Sequence, residues 1–88
     1  MSIIHPGLFL VMQRFPYKKD VLRHMYLNSP SFQSFCDDYR KCTDALKYWT
    51  QSNHEEAEKR SREYMELREN LESEIIEIIN GDEKRMEK

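Results

Sequence analysis

The chain has 88 residues, a net charge of −2, 39% hydrophobic and 34% charged residues, two Gly and three Pro. This length allows one domain, over residues 1–88. The apolar and aromatic content is too high for intrinsic disorder. A general nucleic-acid binder normally carries a basic excess, so the net charge argues against nucleic acid as a partner. The composition therefore predicts one domain of helices with solvated faces.

An apolar extension occupies residues 1–15. Leu8 to Met12 are five apolar residues in succession, which fits either a buried helical turn or a strand. No Lys or Arg precedes the apolar residues 3–12, Pro6 and Gly7 interrupt them, and no small-residue cleavage site follows, so we do not expect a signal peptide. They are also too few to span a membrane. Because the two cysteines do not suggest a disulfide framework, we expect a cytoplasmic protein without membrane insertion.

The first two helices are predicted from proline positions. Pro16 fits the first position of a short helix over about 16–27. Ser29 is a suitable N-cap and Pro30 a suitable first residue for the next helix. Apolar residues then recur at intervals of three and four, which predicts a helix over about 30–51.

The last helix is predicted over about 54–80. It begins at a capping box, formed by Ser52 with Glu55 or by Asn53 with Glu56. Gly81 is a ready C-cap, so we expect residues 81–88 to form a frayed charged tail. Two long helices with matching apolar stripes and a short polar link are typical of an antiparallel hairpin. The predicted fold class is therefore all-α, a long helical hairpin preceded by a short helix.

The residues that carry chemistry do not form a pattern typical of a catalytic or metal site. Cys36 and Cys42 point about 120° apart on one helix, so they cannot form a disulfide, and their spacing is unlike a zinc site. His5, His24 and His54 lie in three separate segments. No phosphate-cradling loop is available with two glycines. We predict a protein that is not an enzyme and has no metal or cofactor, with both cysteines as small buried hydrophobes.

Two groups of residues are candidate partner contacts. Four cations and one anion give residues 1–30 a charge of +3, and the remainder carries −5. Lys18, Lys19 and Arg23, with Arg14, either dock an anionic partner or offset the acidic end of the last helix. Tyr48 and Trp49 form an aromatic pair near the tip of the hairpin, where a partner can bind.

Several short motifs resemble a group of small uncharacterised bacterial helical-hairpin proteins of unknown function. They are Gln-Arg-Phe-Pro at 13–16, Ser-Pro-Ser-Phe at 29–32, Phe-Cys-Asp-Asp-Tyr at 35–39 and Ala-Leu-Lys-Tyr-Trp at 45–49. The resemblance covers residues 13–79, but none of its motifs is specific. It implies a bacterial helical hairpin and brings no activity, ligand or catalytic residue.

The leading hypothesis is a non-enzymatic protein-interaction or assembly module that acts through its helical surfaces. The alternative is a thiol-based regulatory or redox-sensing protein that uses Cys36 or Cys42. A lone hairpin with a short third helix would leave a large apolar patch, so we expect a homodimer. Residues 1–12 are the segment expected to seal that dimer.

Overall fold

The computed structural model describes residues 5–86, and the side chains of residues 5–81. Within this range the chain forms four α-helices and one 3₁₀ turn, and no strand. The all-α class is confirmed. The elements are α1 (Pro6–Arg14), the 3₁₀ turn (Pro16–Lys18), α2 (Lys19–Asn28), α3 (Pro30–Thr50) and α4 (Ala57–Met86).

The apolar extension is helical in its described part. Pro6 opens α1, and the His5 Nδ1 atom caps it by accepting a 3.1 Å hydrogen bond from the Gly7 amide. Leu8, Val11 and Met12 are buried, at the spacing of one helical face. The interpretation as a strand is wrong, because the proline and the cap start a helix whose apolar face enters the core.

The predicted boundary between the second and third helices is confirmed. The short predicted helix is a 3₁₀ turn followed by α2, which ends at Asn28. Ser29 then adopts an extended conformation, and its Oγ accepts a 3.2 Å hydrogen bond from the Phe32 amide. This cap, with Pro30 as the first residue, fixes the start of α3.

The predicted start of the last helix at residue 54 is wrong, since α4 starts at Ala57. The Ser52 Oγ accepts a 3.1 Å hydrogen bond from the His54 amide, and the His54 Nδ1 accepts one of 3.1 Å from the Glu56 amide. These bonds hold residues 52–56 in a turn. Neither predicted capping box is present among the described hydrogen bonds.

The predicted helix end at residue 80 is also wrong. The α4 backbone continues through Gly81 to Met86, with no positive φ at any described glycine. Glycine permits the left-handed C-cap conformation but does not require it. Most residues after Asp82 are good helix formers, so the helix has no local reason to stop. Residues 87 and 88 of the predicted frayed tail lie outside the described residues.

Helices α3 and α4 pack against each other and run in opposite directions. Cys42 contacts Tyr64, and Tyr39 contacts Glu72. Residues earlier in α3 therefore pair with residues later in α4, as in an antiparallel pair. Helix α1 packs on α3, and α2 packs on both α3 and α4. None of the described helices is both long and apolar enough to cross a membrane. The buried core consists of Leu8, Val11, Met12, Leu22, Met25, Phe32, Cys36, Tyr39, Ile75 and Ile79.

The core lies at one end of the α3–α4 pair. No residue of α4 before Ile75 is fully buried, and α3 buries only Cys42 and Leu46 beyond Tyr39. Residues 42–68 therefore form a two-helix arm, consistent with a molecule that measures 52 × 31 × 22 Å.

The described part of residues 1–12, the segment expected to seal a dimer, packs on its own chain. A Cβ on Gly7 would collide with the carbonyl oxygen of Cys36, so glycine lets α1 approach α3 of its own chain. The buried side chains of α1 thus belong to the core of the same chain. Residues 1–4 of the predicted seal lie outside the described residues.

Candidate interaction surfaces

The basic residues of the N-terminal third divide into two sets. Arg14 Nε lies 3.0 Å from Glu72 Oε2, and the Tyr39 hydroxyl donates a 2.7 Å hydrogen bond to the same oxygen. Burial, and then this hydrogen bond, raise the pKa of Tyr39. Arg14 therefore has the charge-matching role predicted for the acidic last helix. Lys18 is half-buried.

Lys19 and Arg23 form the second set. Both are exposed, and neither forms an ion pair with any residue whose side chain is described. They border a cavity of about 220 Å³ between α1 and α2, which we call the basic cavity. Phe9, on its wall, is 49% exposed, and Tyr17, which neighbours Pro16 in the chain, is 96% exposed. The cavity is lined by Phe9, Met12, Gln13, Pro16, Lys19 and Arg23.

The sequence identified the cations of the basic cavity but missed its apolar wall. Phe9 and Met12 are three residues apart and so lie near each other on the surface of α1, which is the signal that the sequence offers for this wall. The continuous apolar run concealed which residues point outward.

The aromatic pair lies near the end of the arm, but its two members differ in exposure. Tyr48 is 64% exposed, whereas Trp49 is half-buried. Their ring centroids are 5.1 Å apart in an edge-to-face arrangement, and the Trp49 ring lies 5.9 Å from that of His54. Trp49 thus packs on the turn between the helices, and only Tyr48 projects. Neither Tyr48 nor Trp49 lines the basic cavity.

A second surface, which we call the α3–α4 groove, encloses about 280 Å³ between the two helices, where the arm joins the rest of the molecule. No residue of α1 or α2 lines it. Leu67 is 47% exposed at its edge. Arg68, the next residue in α4, is less exposed than Leu67. The lining residues are Asp38, Lys41, Cys42, Ala45, Tyr64, Leu67 and Leu71.

Both cysteines are free thiols in buried positions. Burial raises the pKa of Cys36 to about 12, with a further contribution from the charge of Asp37. Burial also raises the pKa of Cys42, whose Sγ donates a 3.1 Å hydrogen bond to the Tyr64 carbonyl oxygen. Since the thiolate is the reactive form, both environments disfavour nucleophilic and redox chemistry.

His5 makes a contact that the sequence did not predict. Its Nε2 lies 3.0 Å from Asp37 Oδ1, and its ring centroid lies 5.5 Å from that of Tyr26. The His5 Nδ1 accepts the cap hydrogen bond of α1, so the Nε2 atom carries the proton toward Asp37. This arrangement joins α1 to α3.

Within the part of the chain that the structure describes, no three His, Cys, Asp or Glu side chains converge as metal ligands. Comparisons of the chain with protein-family models, curated protein sequences and solved structures give no match. The resemblance to small bacterial helical-hairpin proteins therefore stays a prediction.

Proposed function

We propose that the chain is a non-enzymatic assembly module that forms a homodimer through the α3–α4 groove. The observation that supports this most is the partly exposed apolar lining of this groove, with Leu67 nearly half exposed at its edge. Contiguous apolar surface rimmed by polar residues is typical of protein contact sites, and here Asp38 and Lys41 lie beside Ala45, Leu67 and Leu71.

A second copy fits the shape of this surface. The groove is formed by two antiparallel helices, and two such pairs packed face to face make a four-helix core. A two-fold contact places the same surface on both chains, so it must be self-complementary. Asp38 and Lys41 carry opposite charges about one turn apart on the α3 side of the groove. Asp38 of one chain can therefore face Lys41 of the second chain, and the reverse.

The exposed area is sufficient for such a contact. The chain exposes 6692 Å². A compact monomer of 10.7 kDa is expected to expose about 5,500 Å². A typical interface takes about 800 Å² from each partner, which is a small part of this exposed area.

The thiol-based alternative has less support. Its nucleophile would be Cys36 or Cys42, and both sulfur atoms are buried with raised pKa values. Reactive cysteines are normally exposed, with a lowered pKa. Assembly through the α3–α4 groove needs neither thiol to react, so we place it first.

Sedimentation equilibrium at micromolar concentration tests the dimer. We expect the wild type to sediment near twice 10.7 kDa, and Leu67→Glu near 10.7 kDa, because a charge in the groove opposes its burial. Ile76→Glu is the matched control: Ile76 is 46% exposed on the same helix but does not line the groove. This control is expected to remain dimeric. A wild type near 10.7 kDa, or equal dissociation by both variants, would contradict the proposal.

A further inference from the structure

We infer that the basic cavity binds an acidic peptide segment that carries one bulky apolar side chain. This inference goes beyond dimer formation, because the cavity lies between α1 and α2 and shares no lining residue with the α3–α4 groove. It rests on the charge and shape of the cavity and on two exposed aromatic residues, Phe9 on its wall and Tyr17 next to Pro16 in the chain.

The charge of the cavity favours a carboxylate partner. Lys19 and Arg23 are one helical turn apart on α2, so their side chains lie on the same face. Arg14 is paired with Glu72, whereas these two cations form no ion pair with a residue whose side chain is described. Asp20 lies three residues before Arg23 and so neighbours it on the helix surface, but it forms no ion pair with Arg23. An approaching acidic segment therefore meets two cations that can form charge-assisted hydrogen bonds.

The shape of the cavity favours an apolar anchor. Met12 is buried and Phe9 is 49% exposed, and both line the cavity beside Pro16. A volume of about 220 Å³ is smaller than the roughly 300–1,000 Å³ of typical small-molecule sites. It suits a single inserted side chain. The expected ligand is therefore a short acidic segment with one apolar side chain that inserts beside the two cations.

Tyr17 extends the surface beyond the cavity. Its side chain is 96% exposed, so its ring adds almost nothing to the stability of the free chain. Exposed aromatic residues beside cationic ones are enriched in protein interfaces and often dominate their binding energy. We therefore assign Tyr17 to contact with the backbone or side chains that flank the anchor.

A peptide fits this surface better than a membrane or a nucleic acid does. A concave cavity admits an inserted side chain, whereas a flat bilayer would meet only the rim. The chain carries a net charge of −2, which opposes binding to a long polyanion. The two cations act locally, on a short acidic segment.

The test uses ¹⁵N-labelled protein and three decapeptides that are rich in Glu and differ only at a central Phe, Leu or Ser. We expect the Phe and Leu peptides to shift the amide signals of α1 and α2, with an affinity that falls as salt rises from 50 to 300 mM. The Ser peptide is expected to bind at least tenfold more weakly. Anionic vesicles, with 30% phosphatidylserine, are tested in parallel.

Two variants and a control distinguish binding at the basic cavity from nonspecific electrostatic attraction. The double variant Lys19→Glu/Arg23→Glu should lose binding at least tenfold, and Phe9→Ala should reduce the difference between the Phe and Ser peptides. The control Lys47→Glu/Lys59→Glu makes the same change of charge at two exposed positions outside both surfaces. It should keep binding within about twofold.

Circular dichroism melting first establishes that each variant is folded. No binding of any peptide, equal binding of the Phe and Ser peptides, or an equal loss in both double variants would overturn the inference. Tighter binding of the vesicles than of the peptides would overturn it in favour of a membrane surface. None of these outcomes depends on the oligomeric state, which is measured separately by sedimentation.

Discussion

The Tyr39 hydroxyl donates a 2.7 Å hydrogen bond to Glu72 Oε2, which joins the middle of α3 to α4 at the edge of the buried core. Arg14 shares that oxygen, so one carboxylate connects α1, α3 and α4. Hydrogen bonds to charged groups contribute about 1.5–3 kcal/mol. We expect Tyr39→Phe to lower the free energy of unfolding by about this amount. Urea denaturation measures it.

The control for this prediction is Tyr48→Phe, which makes the same change at an exposed position. It should alter the free energy of unfolding by less than about 0.5 kcal/mol. Equal effects of the two substitutions would show that the Tyr39–Glu72 hydrogen bond does not stabilise the fold.

Gly7 and Gly81 give opposite expectations for the same substitution. Ala in place of Gly within a helix normally stabilises by about 0.5–1 kcal/mol. Gly81→Ala should follow this rule, because nothing lies within 4 Å of the added methyl group. Gly7→Ala should instead destabilise by about 1–3 kcal/mol, since its methyl group would collide with the Cys36 carbonyl oxygen. Thermal melts of both variants decide this, and a raised melting temperature for Gly7→Ala would contradict the close packing of α1 on α3.

The sequence predicted α3 best because its start depends on adjacent residues. Ser29 and Pro30 supply the cap and the first turn, so no distant contact is needed. The position of α1 depends instead on its contact with Cys36, which lies far along the chain. The end of α4 was missed for another reason: Gly81 allows a C-cap, but the choice between stopping and continuing is not encoded at that residue alone.

The basic cavity shows the same limit for function. Lys19 and Arg23 are identifiable as a charge group within one helix. The wall that completes the cavity comes from Phe9 and Met12 on a different helix. Periodicity reveals which residues share a helical face, but it does not reveal which two helices lie side by side.

Because Cys36 is buried, the stability of the fold is expected to change with pH in the alkaline range. Its pKa is raised from 9.0 to about 12 by burial and by Asp37. Between these values the unfolded chain loses the thiol proton while the folded chain keeps it, so the free energy of unfolding falls as pH rises. The slope for one proton is at most about 1.4 kcal/mol per pH unit. The stabilisation is fully present below pH 9.0.

Replacing the thiol isolates this contribution from other groups that titrate. In Cys36→Ala, stability measured by urea denaturation should decline less steeply from pH 8 to 10.5 than in the wild type. Cys36→Ala also leaves a small cavity, which lowers stability equally at every pH. Only the difference in slope therefore tests the prediction, and parallel pH profiles would contradict it.

Leu8 tests whether α1 belongs to the core of its own chain or seals a dimer. It is buried with Val11 and Met12, and truncation of a buried leucine to alanine costs about 2–5 kcal/mol. We expect Leu8→Ala to lower the unfolding free energy by this amount, whereas Leu27→Ala, at an exposed position, should cost less than about 0.5 kcal/mol.

If α1 only packs within its chain, the loss caused by Leu8→Ala is the same at 2 and 200 µM protein. A seal between two chains would instead make the loss concentration-dependent, because dimer stability follows mass action. Denaturation curves at the two concentrations separate these cases, and a loss that changes with concentration would overturn the placement of α1 on its own α3.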